Sequence, residues 1–219
     1  MSEKLKPWEG ANDERALRAL AGHSTHSEFQ KDRQQRAREL IRWCDIDPDK
    51  IGFEIGSGEG TVASLISPKC RSLDCNDISD YFLSRARATC LSCDNVQFFK
   101  IEGRYLEYLS ADYYDFGYAL NVFIHFNPYD IFNYLQCVRR ILRPGGCFYF
   151  DTCTLGPATM EIFKEHAGNY RQSPENVRGL LGFSDPNSLR GMIAESGLRV
   201  ADASLFSSAG WLKVQVTRA

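Results

Sequence analysis

The chain has 219 residues, 43% hydrophobic and 25% charged, with 28 acidic against 26 basic side chains and a formal net charge of −2. That balance excludes a disordered chain and a collagen, and it leaves no dominant basic footprint for nucleic acid. No apolar run approaches the ~20 residues of a membrane-spanning helix, and the start, MSEKLKPWEG, lacks the apolar core of a signal peptide, so a cytoplasmic protein with no membrane partner is expected.

Residues 1–26 are polar. From Ser27 a helical pattern places Phe29, Ala37, Leu40, Ile41 and Cys44 on one broad face, with Arg33, Arg36, Arg38 and Glu39 mostly outside it. Asp47-Pro48-Asp49 breaks the chain. Ile51 to Ile55 reads as an apolar strand ending in Gly56, and Thr61 to Ile66 as a helix stopped near Pro68. Ser72 to Cys75 is a second strand closed by Asn76-Asp77, and Ser79 caps a helix that reaches Ala88. Val96 to Ile101 and Phe116 to Val122 are the third and fourth strands. Asn127-Pro128 opens a helix with the stripe Ile131, Leu135, Val138 and Leu142, ended by Pro144-Gly145-Gly146. Cys147 to Phe150 is a fifth strand, and residues 152–182 are irregular in pattern. Ser184-Asp185-Pro186 opens a last helix, ending at Gly197. Leu198 to Phe206 and Trp211 to Thr217 follow as two β-rich runs around a turn at 207–210.

Strands alternating with helices imply an α/β fold. The expectation is a doubly wound, mostly parallel seven-stranded sheet with helices on both faces and a C-terminal antiparallel hairpin. In such sheets a ligand sits beyond the carboxyl ends of the strands, at the switch point.

Of the eight cysteines, Cys70, Cys75, Cys90 and Cys93 have a spacing that approaches paired zinc knuckles. Cys75 lies inside a strand-like run, however, and Cys90 ends a helical pattern. The cysteines are therefore read as free thiols, and no metal is expected.

The loop Glu54-Ile55-Gly56-Ser57-Gly58-Glu59-Gly60-Thr61 follows a strand and opens a helix. Its glycines permit a tight turn and close approach of a ligand to the backbone. The spacing is G-x-G-x-G, so the dinucleotide pattern G-x-G-x-x-G is not met. Glu54 would repel a pyrophosphate but suits an ammonium group. Asp77, at the end of the second strand, can accept both hydroxyls of a ribose; taken alone it reads better as a helix N-terminal charge before Ser79, but beside the glycine loop the ribose reading prevails. Glu102, ending the third strand, can accept from an adenine amine or stand in solvent. His125 follows the fourth strand. Its imidazole can act as a general base near neutral pH, or shape its loop through backbone contacts.

Together, the Glu54–Thr61 loop, Asp77-Ile78-Ser79, Asp115 through His125, and Arg140-Ile141-Leu142-Arg143-Pro144-Gly145-Gly146 resemble four motifs of the class I S-adenosylmethionine-dependent methyltransferases, in order, over about residues 51–151. The resemblance implies S-adenosylmethionine as cofactor and S-adenosylhomocysteine as product. Gly56, Ser57, Gly58 and Gly60 would pass close to the methionine moiety, and Glu54 would hold its ammonium group. Asp77 would bind the ribose, Ile78 would pack on adenine, Glu102 and Gly103 would contact adenine, and Leu120 and Asn121 would lie near the methionine end. Glu102 stands where the family often has aspartate, and the second strand is more polar than usual. Residues 1–44 are then expected to form a lid or leader segment. The methyltransferase domain would be residues 45–219, with 152–182 as a substrate-capping insertion. Phe29, His125, Tyr129 and Tyr170 are candidate substrate residues. The expected reaction moves a methyl group to oxygen or nitrogen of a small-molecule acceptor, such as a natural product or a sugar. The rivals are a nucleic-acid or protein methyltransferase, a nicotinamide oxidoreductase and a non-catalytic partner that keeps the fold. The sequence specifies neither the acceptor nor the oligomeric state.

Overall fold

A computed structural model describes residues 26–102, 105–172, 181–201 and 210–219. In chain order the elements are α1 (His26–Trp43), β1 (Ile51–Ile55), α2 (Thr61–Ile66), β2 (Ser72–Asp77), α3 (Asp80–Thr89), β3 (Val96–Lys100) and β4 (Tyr114–Ala119). They continue with α4 (Pro128–Ile141), β5 (Leu142–Cys153), α5 (Met160–Gln172), α6 (Pro186–Glu195), β6 (Leu198–Val200) and β7 (Trp211–Arg218). The strands form one seven-stranded sheet in the order β3-β2-β1-β4-β5-β7-β6. β1 pairs in parallel with both β2 and β4, whereas β7 runs antiparallel to β5 and to β6. The expected fold class is thus the observed one. The order reverses between β1 and β4, which opens the crevice at their carboxyl ends.

The alternation of side chains along each strand divides the core in two. Phe53 of β1, Phe148 and Phe150 of β5, Ile131, Leu135 and Val138 of α4, and Leu189 and Ile193 of α6 pack on one face. Ala37 and Leu40 of α1, Val62, Ala63 and Ile66 of α2, and Tyr118 and Tyr149 pack on the other. Asn127 caps α4 by accepting from the Asp130 N–H at 3.0 Å, and Ser79 caps α3 by accepting from the Phe82 N–H at 3.3 Å.

Several boundaries move for physical reasons. β2 runs through Asp77, because its polar side chains find partners. The Tyr114 hydroxyl donates to Asp74 at 2.6 Å, the Tyr108 hydroxyl donates to Asn76 at 2.7 Å, and the Asn76 amide donates to the Glu54 carbonyl at 2.9 Å. β4 begins two residues early and ends at Ala119. Asn121 then takes a left-handed conformation (φ 58°), and Phe123–His125 forms a 3₁₀ turn. α4 stops at Ile141, since Pro144 disfavours helical backbone before it. Leu142 therefore opens β5, and the pairing with β4 slips between Tyr114 and Phe116 to absorb Pro144-Gly145-Gly146. Residues 152–182 are not irregular throughout: β5 extends to Cys153, and α5 occupies Met160–Gln172. β6 occupies Leu198–Val200, while residues 202–206 of that expected run and most of the 207–210 turn lie outside the described residues.

Gly60 joins α2 to α3. Its backbone is left-handed (φ 77°), and a Cβ there would come 2.9 Å from the Ala86 Cα. Left-handed strain and overpacking each cost about 1–3 kcal/mol. Gly60→Ala is expected to lower the midpoint of calorimetric unfolding by several degrees at least.

Candidate functional site

The segment leaving β1 turns into α2 through three left-handed glycines, Gly56 (φ 73°), Gly58 (φ 51°) and Gly60. A side chain at Gly56 would collide with Val122, 2.3 Å away, so this glycine lets the loop after β4 close against the loop after β1. Gly58 faces open space, with nothing within 4 Å of a Cβ built there. A ligand can therefore lie directly on its backbone. Between them Ser57 is buried, and its Oγ has no hydrogen-bond partner.

Asp77 ends β2 beside this loop. Its Oδ2 accepts from the Gly58 N–H and its Oδ1 from the Ser79 N–H, both at 2.9 Å. One side chain thereby fixes both the glycine turn and the start of α3. Burial pushes its carboxyl up to about 6, against the pull of those N–H donors. Glu54 lies one strand over and is 3% exposed. The Cys75 thiol donates to its Oε2 at 3.5 Å. Burial pushes the Glu54 carboxyl up to about 8; Asp77 adds to the rise, while Cys75, Tyr118 and Arg33 oppose it.

The third component comes from α1. The helical pattern left Arg33 outside the apolar face, yet the fold buries it at 8% exposure, with its guanidinium 4.9 Å from the Phe29 ring. Asn121, with its amide oriented to satisfy both neighbours, accepts from Arg33 Nη2 at 2.6 Å and donates to Asp151 Oδ2 at 3.3 Å. The Asn121 N–H donates to Asp151 Oδ1 at 2.6 Å. Arg33 Nε is buried without a hydrogen-bond partner. The crevice therefore offers a carboxyl group, a guanidinium whose Nε is held only by a 3.7 Å ion pair with Asp32, an unpaired hydroxyl and an open glycine backbone. That set fits a ligand with an amino-acid end bearing both charges. Arg33, Asp151 and Tyr118 belong to this set without having been marked from sequence. Arg33 and Phe29 at i, i+4 on one helix were the available signal.

Ile78 and Leu120 are buried, as befits apolar wall residues. Glu102 is exposed, one residue past Ile101, whose N–H donates to the Asp77 carbonyl at 2.9 Å. Gly103 lies outside the described residues, as does the side chain of His26. His125 is half-buried at the end of the 3₁₀ turn, its N–H donating to the Val122 carbonyl at 3.0 Å. The neighbouring Ile124 carbonyl accepts from the Gly182 N–H, which draws the segment after α5 against this turn. Tyr129 and Tyr170 are not brought to the crevice by any hydrogen bond or ring contact among the described residues, and Tyr129 is 81% exposed. Phe163 of α5 instead stands edge-on to Phe183 at 5.4 Å. The eight cysteines are free thiols, and no group of three His, Cys, Asp or Glu side chains among the described residues could hold a metal ion. No helix among them is long and apolar enough to cross a membrane.

A family described as a methyltransferase domain matches residues 53–146. No curated protein matches the chain. Among solved structures the chain is similar to magnesium protoporphyrin IX methyltransferase from Synechocystis PCC 6803 with bound S-adenosylhomocysteine: TM-score 0.71, 11% identity, 97% of each chain covered. It is similar to geranyl diphosphate C-methyltransferase from Streptomyces coelicolor A3(2), with TM-score 0.69 and 10% identity over 99% of this chain and 97% of that one. It is also similar to the structure of a Haloferax volcanii methyltransferase in complex with the Trm112 activator, with TM-score 0.69 and 16% identity over 96% of each chain.

The two raised carboxyls set a pH dependence. Folded, Glu54 and Asp77 hold their protons up to about 8 and about 6, against ordinary values of 4.5 and 3.8. The folded state therefore binds more protons than the unfolded one. This stabilisation is full below the ordinary values and is lost as pH rises through the folded ones. The unfolding temperature of the ligand-free protein is expected to fall between pH 5 and pH 8. Glu54→Gln should flatten that decline and exceed wild type at pH 9 in the same calorimetric scan.

Proposed function

We propose that this chain is a class I S-adenosylmethionine-dependent methyltransferase that moves a methyl group to an oxygen or nitrogen of a small-molecule acceptor, a reading supported by the methyltransferase-domain match over residues 53–146 and by the shared fold. The observation that carries the cofactor site is the placement, at the carboxyl ends of β1 and β2, of the buried Glu54 carboxyl near a buried Arg33 guanidinium whose Nε makes no hydrogen bond, only a 3.7 Å ion pair with Asp32. In this reading Glu54 holds the cofactor's ammonium group and Arg33 its carboxylate. Gly56, Ser57, Gly58 and Gly60 line the methionine moiety, with Leu120 and Asn121 beside it. Asp77 takes the ribose hydroxyls, Ile78 packs on adenine, and Glu102 with Gly103 reaches the adenine edge.

The cofactor, when bound, supplies an electrophilic methyl group on a sulfonium. The work of the chain is to orient the two reactants and keep water out. Orientation alone is worth about 7–11 kcal/mol of a barrier. His125 accepts the proton of an acceptor hydroxyl or amine, a contribution of about 10²–10⁴ in rate. In the same reading α1 acts as a lid, with Arg33 reaching Asn121 of the loop after β4 and Phe29 packed on the Arg33 guanidinium. Segment 152–182 acts as the cap, and the partly exposed Met160 and Phe163 favour an acceptor with an apolar body. Phe29, Tyr129 and Tyr170 remain candidate substrate residues, and Phe163, edge-on to Phe183, adds an aromatic pair beside them. A cytoplasmic site of action goes with this reading. A protein-partnered enzyme is the second reading, favoured by the fold match to an activator-bound methyltransferase.

Calorimetric titration with S-adenosylhomocysteine tests the site. Saturable binding by wild type is expected, weakened at least tenfold in Asp77→Ala and in Arg33→Ala, with circular dichroism confirming that both variants fold. The Arg33→Ala loss should vanish for the decarboxylated analogue of the ligand, which has nothing for the guanidinium to hold. Absence of both heat and thermal shift in wild type would overturn the reading.

A further inference from the structure

Parallel pairing aligns Glu54 of β1 with Cys75 of β2 on one side and Tyr118 of β4 on the other. Paired residues on neighbouring strands point to the same face, with about 4.8 Å between the strands. The three side chains therefore form a row beneath the crevice, and Cys75 and Tyr118 are 0% exposed. The Cys75 thiol already donates to Glu54. The Tyr118 hydroxyl lies against the same carboxyl, yet it makes no hydrogen bond of good geometry and has no other partner. A buried hydroxyl without a partner is rare and calls for an explanation.

We propose that Tyr118 is a positioning residue for Glu54: it is held in reserve as the donor to the ionised carboxylate, so that capture of the cofactor's cationic end expels one proton from Glu54. This rests on the cofactor reading above. The titratable groups facing Glu54 are Cys75 and Asp77 from β2, Tyr118 from β4, Arg33 from α1, and Cys90 at the end of α3. Only Arg33 among them is cationic. In the ligand-free crevice this surplus of acidic and neutral neighbours, together with burial, keeps Glu54 in its neutral O–H form at neutral pH. An arriving ammonium reverses that balance. The Glu54 O–H bond breaks, the proton passes to buffer, and the electron pair remains as a carboxylate facing the ammonium. A hydroxyl bonded to a carboxylate is about twice as strongly held as one bonded to a neutral acceptor. Tyr118, already against the carboxyl but poorly aligned, thus gains a full-strength bond only in the ionised state, and it lowers the pH at which that state forms. Asp77, whose carboxyl titrates near 6, has already lost its proton above pH 7 and does not contribute there.

The test is titration of the full chain with S-adenosylhomocysteine from pH 6 to pH 9, in phosphate and in Tris, whose ionisation heats differ. Wild type is expected to release close to one proton per ligand at pH 7, with affinity rising up to about tenfold per pH unit until it levels near pH 8. Tyr118→Phe, which keeps the ring and its packing, should bind three- to tenfold more weakly at pH 7, move the midpoint to higher pH, and converge on wild type at pH 9. Glu54→Gln should show neither proton release nor pH dependence above pH 7. A Tyr118→Phe profile identical to wild type would overturn the role of Tyr118. Intact wild-type binding with no proton released would overturn the coupling while leaving the cofactor site standing. Failure of wild type to bind at any pH would defeat the cofactor reading itself. Should Tyr118→Phe not fold, the buffer-dependent heats of wild type and Glu54→Gln still decide whether the coupling exists.

Discussion

Two carboxyl groups, Glu54 and Asp77, are buried side by side at the carboxyl ends of adjacent parallel strands, and the rest of the structure is arranged around that cost. Withdrawing a carboxylate from water is expensive, so each must be neutral, hydrogen-bonded or faced by a cation. Asp77 is satisfied by two backbone N–H groups, those of Gly58 and Ser79. Glu54 has the Cys75 thiol, the Tyr118 hydroxyl and the Arg33 guanidinium around it and still holds its proton to about 8. A site in this condition is poorly matched to water and well matched to a cation that arrives with its own hydrogen-bonding hydroxyls.

That constraint explains the shape of the surrounding loops. The left-handed glycines give the Asp77 carboxylate a backbone donor within 2.9 Å and bring Val122 against Gly56. The left-handed Asn121 points its own N–H at Asp151, so that Arg33 and Arg36 of α1 sit above a fully buried acid. α1 is thereby more than a cover on the sheet. Through Arg33 it supplies the positive pole of the crevice, opposite the negative pole that β1 and β2 supply.

The acceptor side is built on different terms. The turn carrying His125 is braced by hydrogen bonds to Gly182 and within the turn itself, while α5 buries none of its side chains fully. A hydrogen-bonded crevice floor beside a lightly packed helix fits the proposed reading, in which the cofactor lies on the floor and the acceptor meets the segment around α5.

The local chemistry of the chain was enough to read the sheet, its switch point and the glycine turn at the crevice. Short, near-continuous apolar runs, glycines at a strand-to-helix turn, and Asp77 before the cap Ser79 are signals carried within a few residues. Strand ends were less legible: β2 tolerates Asp74 and Asn76 only because Tyr114 and Tyr108, far along the chain, hydrogen-bond to them. Helix α5 escaped because it buries too little of its apolar side to be told from an irregular segment. Arg33 read as a solvated side chain, since nothing near it in sequence announces Asn121 or Asp151. Tyr118 read as one more apolar residue of a buried strand. Its significance follows from parallel register, which sets it beside a carboxyl sixty-four positions earlier in the chain. Periodicity and turn chemistry are local and survive in one dimension. Burial of a charge, and the partner that answers it, depend on long-range juxtaposition that only the folded chain creates.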